Sequence, residues 1–176
     1  RRGLSASGIR PTPDAAWTRM VTATGEGSRT QVRDIVLTGG QPGPRLDITG
    51  TWRLPTVGLE RVPVGVSADG STIALVPADG TASEAAGVSR FAIVHHVDGD
   101  RPTTSRDAQL RLATTIELRG AFEFDALSPS GDVLYVVEHL VGEPEGAYQV
   151  RAVDVATGVD QMSQKGCAEK GHIAGH

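Results

Sequence analysis

Cys167, His172 and His176 are spaced C-x4-H-x3-H, and Glu169 lies between the thiol and the first imidazole. Thiolate, imidazole and carboxylate are zinc ligand types, but a structural zinc centre takes two paired ligand sets. One cysteine without a second pair reads as part of a polar tail, so no metal is assigned. His95 and His96 are neighbours on a run with strand character, so they point to opposite faces and cannot act as a pair. Glu138-His139 follows the most apolar strand, and Asp125 precedes a Ser-Pro turn. Acid–base chemistry there would need Asp125 and His139 to meet across a hairpin, where a structural Asp–His hydrogen bond is the simpler expectation.

Ser128 lacks the Gly-x-Ser-x-Gly setting of a nucleophile elbow and reads as a turn cap. Thr38-Gly-Gly-Gln-Pro-Gly43 lacks the Gly-Lys-Ser/Thr ending of a phosphate loop and reads as a loop. Asp14, Asp69 and Asp125 stand at loop or strand-start positions, and turn chemistry accounts for two of them. Catalytic, cofactor-binding and metal-ligating residues are therefore all assigned as none, and no cofactor is implied. Trp17 and Trp52 are the only tryptophans. Both are expected to plug spaces between packed sheets, with a surface anchor for a partner as the rival reading.

The elements that hold these residues come from a phrase that occurs three times. It is clearest at Ala126-Leu-Ser-Pro-Ser-Gly-Asp-Val-Leu-Tyr-Val-Val137, recurs from Gly65 to Val76, and is faintest from Thr12 to Val21. In Ser67-Ala-Asp-Gly70 and Ser128-Pro-Ser-Gly131, Ser and Asp can cap local backbone groups and Gly can take the positive φ of a tight turn. A strand run follows each turn, at 19–23, 72–76 and 133–137. A second follows at 31–37, 90–97 and 148–155, and a third in two units, at 45–54 and 109–118. Val62–Val66 and Phe122–Leu127 read as the first strands of their units. Repetition without a helical period predicts an all-β chain of four-stranded antiparallel sheets.

Composition agrees. The chain has 176 residues, enough for one sizeable core, and 39% of them are hydrophobic while only 4% are aromatic. A formal net charge of −4 argues against nucleic acid as a partner. No apolar run approaches a membrane span. One cysteine permits no internal disulfide.

Ser128-Pro-Ser-Gly, then Leu134-Tyr-Val-Val, then Val150-Arg-Ala-Val-Asp-Val-Ala-Thr-Gly158 resembles the bacterial WD40-like and YVTN-type propeller repeats. The resemblance implies antiparallel four-stranded blades of a β-propeller, about three of them, with units over roughly 10–54, 62–118 and 122–158. It also implies an extracytoplasmic setting, secreted or lipid-anchored. The family pattern has no catalytic residues to transfer.

The third unit lacks its last strand, and closed propellers normally need at least four blades. The chain is therefore expected to be an open part of a larger propeller, with self-association through open blade edges as the alternative. Residues 159–176 hold both lysines, Lys165 and Lys170, whereas the preceding stretch uses 15 arginines and no lysine. They are expected to form a disordered tail. The function expected is a non-catalytic platform for a protein or small-molecule partner. Two alternatives are a propeller-based hydrolase or lactonase, and a structural piece that completes its fold by oligomerisation.

Overall fold

The computed structural model describes residues 12–13, 19–37, 41–57, 62–78, 87–97, 109–140 and 147–161. They form antiparallel strands: β1 (Thr12–Pro13), β2 (Arg19–Glu26), β3 (Arg29–Val36), β4 (Gln41–Thr49), β5 (Trp52–Arg53), β6 (Thr56–Val57), β7 (Val62–Pro63), β8 (Thr72–Pro77), β9 (Val88–Val97), β10 (Gln109–Arg119), β11 (Ala121–Leu127), β12 (Val133–His139) and β13 (Tyr148–Asp154). Sheet 1 has the order β1-β2-β3-β4, sheet 2 β5-β8-β9-β10 and sheet 3 β11-β12-β13, while β6 and β7 make a small hairpin. None closes into a barrel, and the three sheets stack as blades of an open, all-β propeller-like array. No helix among the described residues is long and apolar enough to cross a membrane.

Alternation along the strands aims one set of side chains at each neighbouring sheet. Ile73, Leu75, Ala92 and Val94 of sheet 2 pack with Val21, Val32 and Ile48 of sheet 1. From its other face, Ala74, Phe91 and Ile93 pack with Leu134, Val136 and Val153 of sheet 3. Sheet 2 is thus buried on both sides, and each fully buried side chain contributes roughly 1.5–3 kcal/mol. A bulge between Leu112 and Thr114 keeps β10 in step. Leu110, before it, faces the first core, and Ile116, after it, faces the second, although both are even-numbered.

Two boundaries differ from the sequence expectation. The run 45–54 is not one strand: β4 stops at Thr49, and Trp52–Arg53 crosses to sheet 2, where it pairs with Val76 and Pro77. The run 62–66 does not form one inner strand either. Val62–Pro63 pairs with Thr56–Val57, and only Val66 bridges to Ile73. Sheet 3 has three strands among the described residues, and its β13 edge carries one further bridge, Val153 to Asp160.

The crossing from one sheet to the next is built the same way twice. At the first crossing Gly50 adopts φ 97 and its N–H donates to Ser28 O at 2.8 Å. The buried Thr30 hydroxyl donates to Gly50 O at 2.8 Å and accepts the Trp52 N–H at 2.7 Å. At the second, Gly120 has φ 131 and its N–H donates to Gly87 O at 2.9 Å. There the buried Ser89 hydroxyl donates to Gly120 O at 3.0 Å and accepts the Phe122 N–H at 2.8 Å. A Cβ on either glycine would lie within 3 Å of the following aromatic ring, 2.7 Å from Trp52 and 2.9 Å from Phe122. Trp52 packs on the first core and its indole N–H donates to Thr49 O, which places it at the junction of sheets 1 and 2.

The Ser-x-x-Gly turns also repeat, with one exchange of roles. Ser67 Oγ accepts the Thr72 N–H and Ser128 Oγ accepts the Val133 N–H, each at 3.0 Å. In the first turn Asp69 accepts hydroxyl bonds from Ser67 and Ser71. In the second the carboxylate has moved across the glycine, and Asp132 accepts from Ser128 and Ser130. Burial opposes ionisation of Asp69, but these hydrogen bonds outweigh it and hold its carboxyl below the usual range. The bonds from Ser128 and Ser130 do the same for Asp132.

The two turns touch: Asp69 N–H donates to Pro129 O at 3.1 Å and Ser71 Oγ to Ser130 O at 3.3 Å. A Cβ on Gly131 would fall 2.3 Å from Thr72 Cβ, at φ 72. Gly27 has a similar φ of 61 but open space around it. Gly27→Ala should therefore cost about 1 kcal/mol from backbone strain alone. Gly131→Ala adds a clash and should cost about 3 kcal/mol or more, read from urea unfolding midpoints.

Candidate functional site

Among the described residues, crossing and core together leave a concavity between the inner strands of sheets 2 and 3, a cleft of about 310 Å³. Its apolar lining is Pro55 and Pro77 on the sheet 2 side, Phe122 and Phe124 on the sheet 3 side, and Phe91 between the sheets. Phe122 is placed by the Ser89–Gly120 crossing, so the device that joins the sheets also shapes the cleft. Charge stands around it. Arg53, Arg90, Glu123 and His139 all contribute to the lining. His139 Nε2 lies 3.4 Å from Glu123 Oε1, with both side chains substantially exposed. Arg90 Nε pairs with Glu117 Oε1 at 2.8 Å across β9 and β10, an exposed pair of small energetic weight.

Asp125 does not meet His139. It is the extra residue of a bulge between Phe124 and Ala126, and the residue opposite His139 is Ala121. The carboxylate beside His139 is Glu123, two residues earlier than sequence reasoning favoured. The bulge at Asp125 shifts the register by one residue and so brings Glu123 onto the face of His139. Glu138 turns to Arg151, whose Nε donates to it at 2.7 Å, and Gln149 donates to the same oxygen. Arg151 Nη1 also reaches Asp160 at 2.9 Å, fastening the chain after β13. Asp154 accepts from Thr157 N–H and hydroxyl, both at 2.8 Å, which explains the Asp and Thr of the V-D-V-A-T-G run as a capped turn. Those two bonds hold the Asp154 carboxyl below its usual value.

His95 and His96 do face opposite ways. His96 joins a buried polar cluster between sheets 1 and 2, with Arg19 and Asp34. The Asp34 carboxylate is fully buried and lies 3.7 Å from Arg19 Nη1 and 3.8 Å from His96 Nε2. A guanidinium only donates, so at 3.1 Å from Arg19 the His96 Nδ1 is the acceptor and its proton sits on Nε2, towards Asp34. The arrangement compensates a buried charge and links two sheets, the role expected of a sequestered ion pair. No motif announces it, since its members lie on β2, β3 and β9.

Cys167, Glu169, His172 and His176, and also Asp14 and Trp17, fall outside the described residues. So does 38–40 of the Gly-rich loop. No group of three or more His, Cys, Asp or Glu among the described residues is placed to hold a metal ion.

His95 lies opposite Thr72 on one side and Arg111 on the other. Burial first, then the positive charge of Arg111, pushes its imidazole below the ordinary value. The folded state therefore takes up a proton less readily than the unfolded chain, which does so near pH 6.5. Stability present above that pH is lost as the pH falls below it. His95→Gln should flatten the decline in thermal midpoint between about pH 7.5 and 5, measured against the unaltered chain.

No family model matches the chain, and no curated protein matches it. Among solved structures, a chain from a structural and mechanistic analysis of two prolyl endopeptidases is similar with a TM-score of 0.42 and 15% identity. The match covers 85% of this chain and 18% of that one. This chain thus spans less than a fifth of the protein it matches, and a likeness this slight carries no inference about activity.

Proposed function

We propose that this chain is a non-catalytic propeller-repeat module of the WD40-like, YVTN type, and that it serves as a binding platform. The observation that supports this best is how its ionisable groups are engaged. Arg19, Asp34 and His96 link two sheets, Glu138, Arg151 and Asp160 fasten the end of β13, and Asp69, Asp132 and Asp154 cap turns. The cleft pairs aromatic and proline walls with Arg53, with Arg90, which is held by Glu117, and with the Glu123–His139 pair, a composition suited to holding a ligand. A compact molecule or peptide side chain with an apolar body and an anionic group fits that chemistry.

The rival hydrolase or lactonase reading would centre on His139 and Glu123, which stand together in the cleft lining. One experiment separates the two. Anilinonaphthalene sulfonate, apolar with one anionic group, should bind with a fluorescence rise, and Arg53→Glu combined with Arg90→Glu should weaken binding at least about tenfold. Unchanged binding in that variant would remove the cleft from the proposal. Ester or lactone turnover that vanishes in His139→Ala would replace the platform with an enzyme.

A further inference from the structure

The cleft lining includes Ala121, Phe122, Glu123 and Phe124, four consecutive residues of β11. Successive side chains of a strand point to opposite faces, so a surface that meets all four meets the strand edge-on. Among the described strands β11 pairs only with β12, which leaves its other edge towards the cleft. Phe122 tells which backbone groups that edge presents. Its N–H donates to Ser89 Oγ at 2.8 Å rather than to β12. In an antiparallel ladder, opposed residues exchange both of their bonds or neither, in alternation. Phe122 opposite Glu138 is therefore a pair without ladder bonds, and so is Phe124 opposite Val136. Phe122 C=O, Phe124 N–H and Phe124 C=O all point away from β12.

The other described sheet edges are blunted in ways that keep a strand from adding to them. β1 and β5 have two residues each, and β4 carries Pro42 and Pro44. β10 is bulged between Leu112 and Thr114, and β13 meets Asp160. Between Ala121 and its own bulge, β11 has none of these devices. Its edge runs beside the rings of Phe122 and Phe124, which pack on the second core, and shares the cleft with Arg53. Among the described residues no carboxylate pairs with Arg53, whose Nη1 donates to Leu54 O at 3.3 Å.

We infer that the cleft takes an extended peptide segment, which adds to the free edge of β11 as an antiparallel strand. The backbone supplies the hydrogen bonds of such an addition and the side chains choose the sequence. Alternate residues of the segment turn to the same side as Phe122 and Phe124. Apolar ones lie along the two rings, and an acidic one between them reaches Arg53. The N–H groups of those same residues point at the Phe122 and Phe124 carbonyls, while those of the intervening residues point away. A cleft of about 310 Å³ holds a segment of a few residues. The inference rests on the platform reading of the cleft and narrows its ligand to a peptide backbone.

Pooled acetylated pentapeptide amides test it, with Asp in the middle, Thr on either side of it, and Val, Leu or Phe at both ends. The pool should bind the full chain with a dissociation constant below about 1 mM. N-methylation of the Asp amide should weaken binding at least about fivefold, and N-methylation of either Thr amide should not. On saturation the Phe124 N–H should exchange more slowly, while the Phe122 N–H, already held by Ser89, keeps its rate. Arg53→Glu should weaken the Asp pool and favour a pool with Lys in its place. Absence of binding, equal loss whichever amide is methylated, or unchanged exchange at Phe124 overturns the inference. If anilinonaphthalene sulfonate still binds through Arg53 and Arg90 in that case, the platform stands and its ligand is a small anion. A chain that dimerises with Phe124 already protected gives the edge to a second copy, which overturns the peptide likewise.

Discussion

A strand that leaves one sheet for the next must break its ladder, and every backbone group freed in the interior needs a new partner. This chain meets that constraint twice with the same three parts. A buried hydroxyl, Thr30 or Ser89, both donates to the carbonyl of a glycine and accepts the amide of the residue two further on. The glycine supplies a positive φ and lets the following aromatic ring fold back against it. The place of Trp52 on the first core and the place of Phe122 in the cleft wall both follow from this junction.

Sheet 2 shows why the junction has to be exact. Both of its faces are buried, so each inner strand residue is committed to one core or the other. A one-residue slip would exchange the two sets. The bulge near Ala113 makes that exchange once, under control, and lets β10 serve sheet 1 at Leu110 and sheet 3 at Ile116. The turns add a second tie between sheets, since Gly131 leaves just enough room for Thr72.

The all-β architecture, the turns and the third unit's three strands were legible because they rest on local rules. Ser67 and Ser128 cap what their spacing predicts, and Gly70 and Gly131 take the positive φ those turns need. The crossings were hidden. Thr30 and Gly50 are 20 residues apart, whereas Ser89 and Gly120 are 31 apart, so no fixed period marks the device. The Asp34–His96 cluster and the Glu123–His139 contact were hidden for a related reason. The first joins three strands distant in sequence, and the second depends on a bulge that a uniform alternation cannot register. The exchange of Asp69 and Asp132 across their glycines also blurred the repeat, although the carboxylate plays the same part in both turns.

The central claim is that the buried hydroxyl holds each crossing, and native-state hydrogen exchange at two amides tests it most directly. In Ser89→Ala the Phe122 N–H loses its acceptor, a loss of about 1–3 kcal/mol, so its exchange should accelerate roughly 10- to 100-fold. The Trp52 amide, held by Thr30, should keep its rate. Unchanged protection at Phe122, or equal acceleration at both amides, would contradict the account.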